Sequence, residues 1–387
     1  MSDNKSNSRR IPVTEKAKYL LWAKSAGHCQ FDGCNKPLYR DEQTKIEMNF
    51  GEVAHIIGQG KNGPRSYSEL KYDKQYVNDI SNLMVLCPEH HKMIDALTGN
   101  YDQDSLREMK KKHERFIELA TQNIYEKQTH VITFVGRIGS FQPQICLTDL
   151  NIALFPNYYP ADIDPIELGM IGNMTMDDEQ DFWEQQIKNL ERQFNMKVFP
   201  LLENNKDINH YSVFAFGPIP LLIKLGSLIS DKYPVQVYQL KKEPSTWEWQ
   251  SIPKDFDYLI EIPEKKCNKV ALNLSLSADI NNKRITDVFG NDDISIWKMR
   301  VSDCEFPKND HLRSPDQLVL FSRYLRRILN DIKLAHPGAK ELHIFPAVPV
   351  ACAVEIGRLR QQKADLSYLV YDQNNKNGGF TPVMRIE

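Results

Sequence analysis

The chain has no apolar run near the roughly 20 residues needed to cross a bilayer, and only 41% of its 387 residues are hydrophobic. Its start, Met1-Ser2-Asp3-Asn4-Lys5, lacks the charged-then-apolar pattern of a secretory leader. No membrane partner is expected, and a cytoplasmic location is the default. Strong charge is also missing. Residues 1–130 carry 20 Lys/Arg and 18 Asp/Glu, a balance of +2, and the remainder carries 29 against 33, or −4. Such a chain does not coat DNA through a polybasic surface. Nucleic-acid contact then falls to local groups, Lys61 with Arg65, or Lys110-Lys111-Lys112, although a charge run like the latter is usually just a solvated helix face. A disulfide framework is absent as well. The seven cysteines are odd in number, and Cys146, Cys267, Cys304 and Cys352 are widely scattered, which fits reduced thiols.

What is present divides into two parts. In the first, Thr14 caps a short helix that Gly27 stops. Cys29 to Cys34 forms a knuckle turned by Asp32-Gly33. Residues 46–57 read as strand, Asn82 to Cys87 as a short apolar piece, and Pro88 as the first turn of a helix through His91 and Asp95. A charged helix spans roughly Asp104 to Gln122. Residues 123–130 read as linker. In the second part, Val131 to Val135 and Ile145-Cys146-Leu147 are strand-like, and Asp177 to Met196 is an amphipathic helix whose Trp183, Ile187, Leu190 and Phe194 stripe is core.

The second part contains a repeat at an offset of 131. Phe214, Pro218 and Gly226 match Phe345, Pro349 and Gly357. Each copy runs helix, strand, Pro-rich turn, helix, strand; the later helix opens on the capping box Ser314-Pro315-Asp316-Gln317. The strands that follow are Val235 to Gln239 and Leu369 to Gln373. This is an α/β pattern with parallel strands. Ligands of such sheets sit beyond the strands' carboxyl ends, here Phe216-Gly217-Pro218 and Ala347-Val348-Pro349, expected around one shared pocket.

The chemistry concentrates in the first part. Cys29-x4-Cys34 and Cys87-x2-His90 form two close pairs of soft ligands, the pattern of a tetrahedral structural zinc. His55, Asn82 and His91 remain, in that order. The order resembles the HNH (ββα-metal) nucleases over residues 14–120. The resemblance implies that His55 is the general base, that Asn82 holds the ββ turn, and that His91 binds the catalytic divalent ion, Mg²⁺ or similar. Asp95, four residues on, reads either as a partner orienting His91 or as a plain surface carboxylate. Many members carry Asp or His immediately before the first His; here it is Ala54. Strand alternation turns Glu52 away from His55, so Glu52 reads as a poor substitute. Ion binding is then expected to be completed by Asn82, water and substrate.

The second part, with its paired loops, paired Gly226 and Gly357, and tail Tyr371-Asp372, resembles the SAVED domain, two fused CARF-like Rossmann halves. The whole resembles the HNH–SAVED effectors of CBASS antiphage defence. The expected organisation is an HNH endonuclease domain at 1–122, a linker at 123–130, and a SAVED domain at 131–387 with halves at about 131–263 and 264–387. The resemblance implies a cyclic di- or oligonucleotide activator, a double-stranded DNA substrate, and assembly from dimer to tetramer. Stacking needs aromatics, and phosphates need cations or amides. Trp247, Trp249, Trp297, Lys298, Arg300, Ser275 and Ser277 therefore join Phe216, Gly217, Pro218 and Pro349 as candidate ligand contacts, although any one Trp reads first as core. Two other readings stay open: a nuclease-dead DNA-binding module, and a constitutive restriction-type nuclease.

Overall fold

The computed structural model describes residues 11–387 apart from 61–62, 68–73, 122–126, 139–143, 171–178, 180, 205–207, 252–255, 291, 303–307 and 375–378. The chain forms two compact units, 1–124 and 125–387.

In the first unit, α1 (Glu15–Ser25) is capped by Thr14, whose hydroxyl accepts from Ala17 N at 3.2 Å, and ends on Ala26 in the left-handed region. Strands β1 (Glu52–His55) and β2 (Leu83–Leu86) pair antiparallel, with Glu52 opposite Leu86 and His55 opposite Leu83. The expected strand over 46–57 is shorter: Met48 N and Phe50 N bond back to Tyr39 and Leu38, so residues before Glu52 close a local loop. Helix α2 (Pro88–Ala96) starts on its proline, and α3 (Gln103–Thr121) follows. The core is small, built on Leu21, Leu38, Ile56 and the wholly buried β2.

The second unit opens with β3 (Gln128–Val135), which begins inside the expected linker; Thr129 and His130 are already buried in it. Residues 145–147 are not strand: Cys146 is the N-cap of α4 (Leu147–Leu154). Then come β4 (Tyr159–Pro160), β5 (Ile166–Gly169), α5 (Phe182–Lys197), α6 (Phe199–Asn204), β6 (Tyr211–Phe216), α7 (Ile219–Ile229) and β7 (Val235–Tyr238). After these lie β8 (Tyr258–Glu261), β9 (Lys269–Ser275), α8 (Asn282–Phe289), β10 (Ile294–Val301), α9 (Pro315–Ala335), β11 (Glu341–Ala347), α10 (Val350–Arg358), β12 (Ser367–Asn374) and β13 (Gly379–Ile386).

These strands make two sheets. In the first, β5, β3, β6 and β7 lie side by side in parallel, with β4 beside the start of β3. In the second, β10, β9, β11 and β12 lie in parallel, with β8 and β13 antiparallel at the edges. The strand order is the same in both halves. The repeat is therefore longer than the sequence showed, reaching back to β3 and β9. Strand β8 pairs with the second sheet although it precedes residue 264.

The paired glycines sit where α7 and α10 cross. A Cβ on Gly226 would overlap the Val354 carbonyl oxygen, and one on Gly357 would overlap that of Ile223. The helices touch backbone to backbone, which only glycine permits.

Candidate active site and metal centre

Four metal-ligating side chains converge in the first unit. One donor atom each from Cys29, Cys34, Cys87 and His90 lies within 4.8 Å of the others. Local structure brings them there. Cys87 caps α2 and its Sγ lies 3.1 Å from His90 Nδ1 one turn on. Gln30 N donates to Val85 O and Gln30 Oε1 accepts from Val85 N, which pins the first knuckle to β2. Phe31 stacks on His90 at 4.0 Å and 4°. Cys87 N points at Cys29 Sγ at 3.3 Å. Burial pushes the Cys29 thiol up to about 12 and raises that of Cys87. Such thiols become ligands only when a cation offsets the desolvation. Three sulfurs and an imidazole nitrogen fit a soft or borderline ion.

His55 ends β1. Its Nε2 lies 3.1 Å from Asn78 Oδ1, while Asn78 Nδ2 donates to Ile11 O at 3.1 Å and Pro12 O at 3.4 Å. Two carbonyls thus fix which end of the amide faces His55. The amide oxygen accepts from Nε2–H, and Nδ1 keeps the lone pair. Asn78 was missed in the sequence, where it is one polar residue among several in an Asn/Asp-rich stretch.

Asn82 is fully buried. Its Oδ1 accepts from Ile57 N at 2.9 Å and its Nδ2 donates to Ile57 O at 3.0 Å and Val77 O at 2.8 Å. It ties down the chain just after His55. The expectation that it also completes the ion's shell fails, because its amide already makes three bonds and is closed off from solvent.

His91 stands on the outward side of α2. Its Nδ1 is 2.7 Å from Glu52 Oε2, and its Nε2 is 3.7 Å from Asp95 Oδ2. Glu52 does lie on the opposite side of the strand from His55, as alternation requires. It still enters the site, because α2 starts two residues after Leu86, the register partner of Glu52. Asp95 is more than a surface carboxylate: its Oδ1 accepts from Arg65 at 2.9 Å. Arg65 is buried and also donates to Ile56 O at 2.8 Å and Ile94 O at 2.6 Å. It is therefore not a free DNA-facing cation. It joins the residue after His55 to the helix carrying His91. Lys61 lies outside the described residues, Lys110 is buried on Glu114, and Lys112 pairs with Asp32 at 2.7 Å. An imidazole flanked by two carboxylates is a donor set that suits a hard divalent ion.

Residues 29–97 match the family model described as HNH endonuclease. Residues 190–386 match that of the SMODS-associated and fused to various effectors sensor domain, SAVED. The chain belongs to the SAVED family. An HNH endonuclease domain stands in front of that sensor, and the protein is a nuclease. No match was found among curated proteins. Solved structures similar to it include the Acinetobacter baumannii Cap4 SAVED/CARF-domain containing receptor, at 12% identity over 81% of this chain and 66% of that one, TM-score 0.40. The same receptor with the cyclic trinucleotide 2'3'3'-cAAA gives 12%, 82%, 72% and 0.41. The Moraxella osloensis receptor gives 12%, 83%, 71% and 0.36. The chain spans about two thirds of the length of these receptors.

Within the SAVED unit, the two Pro-rich loops stand at the same end. Ala351 N, in the first turn of α10, donates to Gln239 Oε1 at 3.1 Å. Gln239 follows β7, whose Tyr238 is level with Phe214 of β6, so α10 begins beside the carboxyl end of the first sheet. Gln239 was missed in the sequence, where nothing marks it. The loop at Gly217 is tight: a Cβ there would lie 2.9 Å from the Phe134 ring and 3.0 Å from Gly136 Cα. Pro218 and Pro349 are the N-caps of α7 and α10. Ser277 N donates to Ala347 O at 2.7 Å.

The other candidate ligand contacts have partners of their own. Trp297 is buried and its indole donates to His336 Nε2 at 3.0 Å. Trp247 is buried edge-on to Phe214, with ring centroids 5.3 Å apart. Ser275 is buried between Asn273 and Ile280 N. Lys298 pairs with Asp279 and Arg300 with Glu261, each at 2.7 Å. Neither Trp247 nor Trp297 shows a free face for a base. Trp249 is half-buried against Tyr238, and its Nε1 has no partner among the described residues.

Proposed function

We propose that this protein is an endonuclease that cuts double-stranded DNA when a cyclic di- or oligonucleotide binds its SAVED domain, and that it serves as an effector of CBASS-type antiphage defence in the cytoplasm. The first compact unit, 1–124, is the nuclease module, and the second, 125–387, is the sensor. The observation that carries the reading is the His55–Asn78 and His91–Glu52 geometry in a chain whose other half is a SAVED sensor.

In this reading His55 Nδ1 takes a proton from the water that attacks the scissile phosphorus, and the bond to the 3′ oxygen breaks. Asn78 keeps the ring in the tautomer that can do so. Asn82 and Arg65 hold the backbone just after that ring, at Ile56 and Ile57. His91, with Asp95 beside its Nε2, would hold Mg²⁺ or a similar ion, which would supply charge stabilisation at the phosphate and the departing oxygen. Cys29, Cys34, Cys87 and His90 would hold a structural zinc.

On the sensor, the Gly217-Pro218 and Pro349 loops present two helix N-termini, suited to phosphates, with Trp249, Ser277 and Gln239 beside them. Ligand binding there favours a dimer or tetramer, which raises the local concentration of nuclease modules on one duplex. The test is plasmid degradation with Mg²⁺, with and without a panel of cyclic di- and trinucleotides, with light scattering on the same titration. Cleavage and particle size should rise together. Equal cleavage without any cyclic nucleotide would indicate a constitutive nuclease, and no cleavage under any condition a nuclease-dead module.

A further inference from the structure

The carboxylate that the family pattern puts just before the first histidine is missing, and Ala54 stands there instead. Ala54 is fully buried, paired with Met84 in the small core, and a charged group in its place would lose its hydration without a partner. Glu52 stands on the same side of the strand two residues earlier, where that side has left the core and is half-exposed. Resting on the metal-dependent reading above, we propose that Glu52 supplies the missing carboxylate from behind His91: it is a positioning residue that fixes the ring so that Nε2 faces the catalytic ion.

The geometry favours this role over direct ligation. At 2.7 Å, Glu52 Oε2 accepts a hydrogen bond from Nδ1–H of His91. A neutral imidazole with its proton on Nδ1 carries its lone pair on Nε2. That nitrogen is 3.7 Å from Asp95 Oδ2, too far for a hydrogen bond. Two donors each about 2.1 Å from one Mg²⁺-sized ion lie roughly 3–4 Å apart. Asp95 cannot swing freely, because Arg65 holds its other oxygen. His91 is therefore gripped on one nitrogen and open on the other, beside a second anchored carboxylate. A carboxylate behind a metal-bound histidine fixes its orientation and raises its basicity, and losing it weakens metal binding about 10–100-fold.

The test uses the full-length, zinc-loaded protein without DNA. Mn²⁺ is titrated and followed by electron paramagnetic resonance and calorimetry, and the His91 ring nitrogens are followed by ¹⁵N NMR. Glu52→Ala should weaken Mn²⁺ binding about 10–100-fold and release His91 from the Nδ1–H tautomer, with zinc content and melting unchanged. Glu52→Gln, whose amide oxygen still accepts from Nδ1–H, should keep the tautomer and recover part of the affinity. Glu52→Ala binding Mn²⁺ within twofold of the parent overturns the proposal, and so does a loss of affinity accompanied by loss of zinc. In either case the nuclease reading stands. If His91→Ala binds Mn²⁺ as tightly as the parent, the ion is not at His91, and the metal role given to that residue falls with the proposal.

Discussion

The nuclease and sensor units solve folding by different means. The first pairs two four-residue strands around a small core and gathers three cysteines and a histidine into one cluster. The second stacks two broad parallel sheets through a backbone-to-backbone helix crossing and a core that runs from β3 to β13. A unit with little apolar area to bury depends on a few specific side chains. A unit with a large core depends on shape. Substitutions should therefore act through chemistry in the first unit and through packing in the second.

The largest effect should come from the Cys29, Cys34, Cys87 and His90 cluster, read as a zinc site. Cys87→Ser should unfold the nuclease unit, since a structural zinc contributes on the order of 10 kcal/mol to such folds. Metal analysis of the parent should find about one zinc per chain. Proteolysis of the variant should degrade the first unit and spare the second. A folded, zinc-free first unit would break the contrast.

Next, His55→Ala should lower DNA cleavage about 10²–10⁴-fold with zinc content and melting unchanged, the usual range for a lost general base. Near-parent cleavage by the purified variant would remove His55 from the mechanism. In the sensor, Gly226→Val should destabilise the second unit by about 3 kcal/mol, because its side chain enters the Val354 carbonyl. Urea unfolding of that unit measures it, and a stability equal to the parent would mean that the helices can separate without penalty. Trp297→Phe should cost about 1 kcal/mol through the lost bond to His336, with affinity for a cyclic nucleotide unchanged. A selective loss of affinity would return Trp297 to the ligand site.

A further effect concerns acid and is confined to low pH. Burial against Tyr158 lowers His210 to about 4 from its ordinary 6.5. Its folded form stays neutral while the unfolded chain takes up a proton, so stability is complete above about pH 6.5 and falls as pH drops toward 4. His210→Gln should flatten that part of the pH–stability curve, read by thermal melting; an unchanged slope would assign it to other groups.

The same contrast explains what the sequence disclosed. Cys29, Cys34, Cys87 and His90 are legible because metal ligation dictates residue types and spacing, and the structure brings those four together. The β6–α7–β7 and β11–α10–β12 repeat is legible because glycine and proline mark turns and close approaches. The partners of the histidines were not. Asn78, Glu52 and Arg65 act through distances across the fold, and a common polar residue leaves no pattern in one dimension. Glu52 was set aside on strand alternation, which is correct for β1 alone and silent about the helix crossing it. Which tryptophans could meet a ligand was not legible for a related reason. Composition identifies a tryptophan but not its neighbours, and in a large core Trp247 and Trp297 pack against Phe214 and bond to His336.

The helix crossing carries one more lesson. Each glycine makes room for a carbonyl of the opposite helix, three residues before the other glycine, so the two positions guard a single gap from both sides. A bulky group at either one already forces α7 and α10 apart, and a second adds little. The double variant should therefore be far less damaging than the two single effects combined. A change at one glycine is felt at the other, because both border the same contact. The crossing fixes the spacing of the two helices whose first turns carry the Pro218 and Pro349 loops.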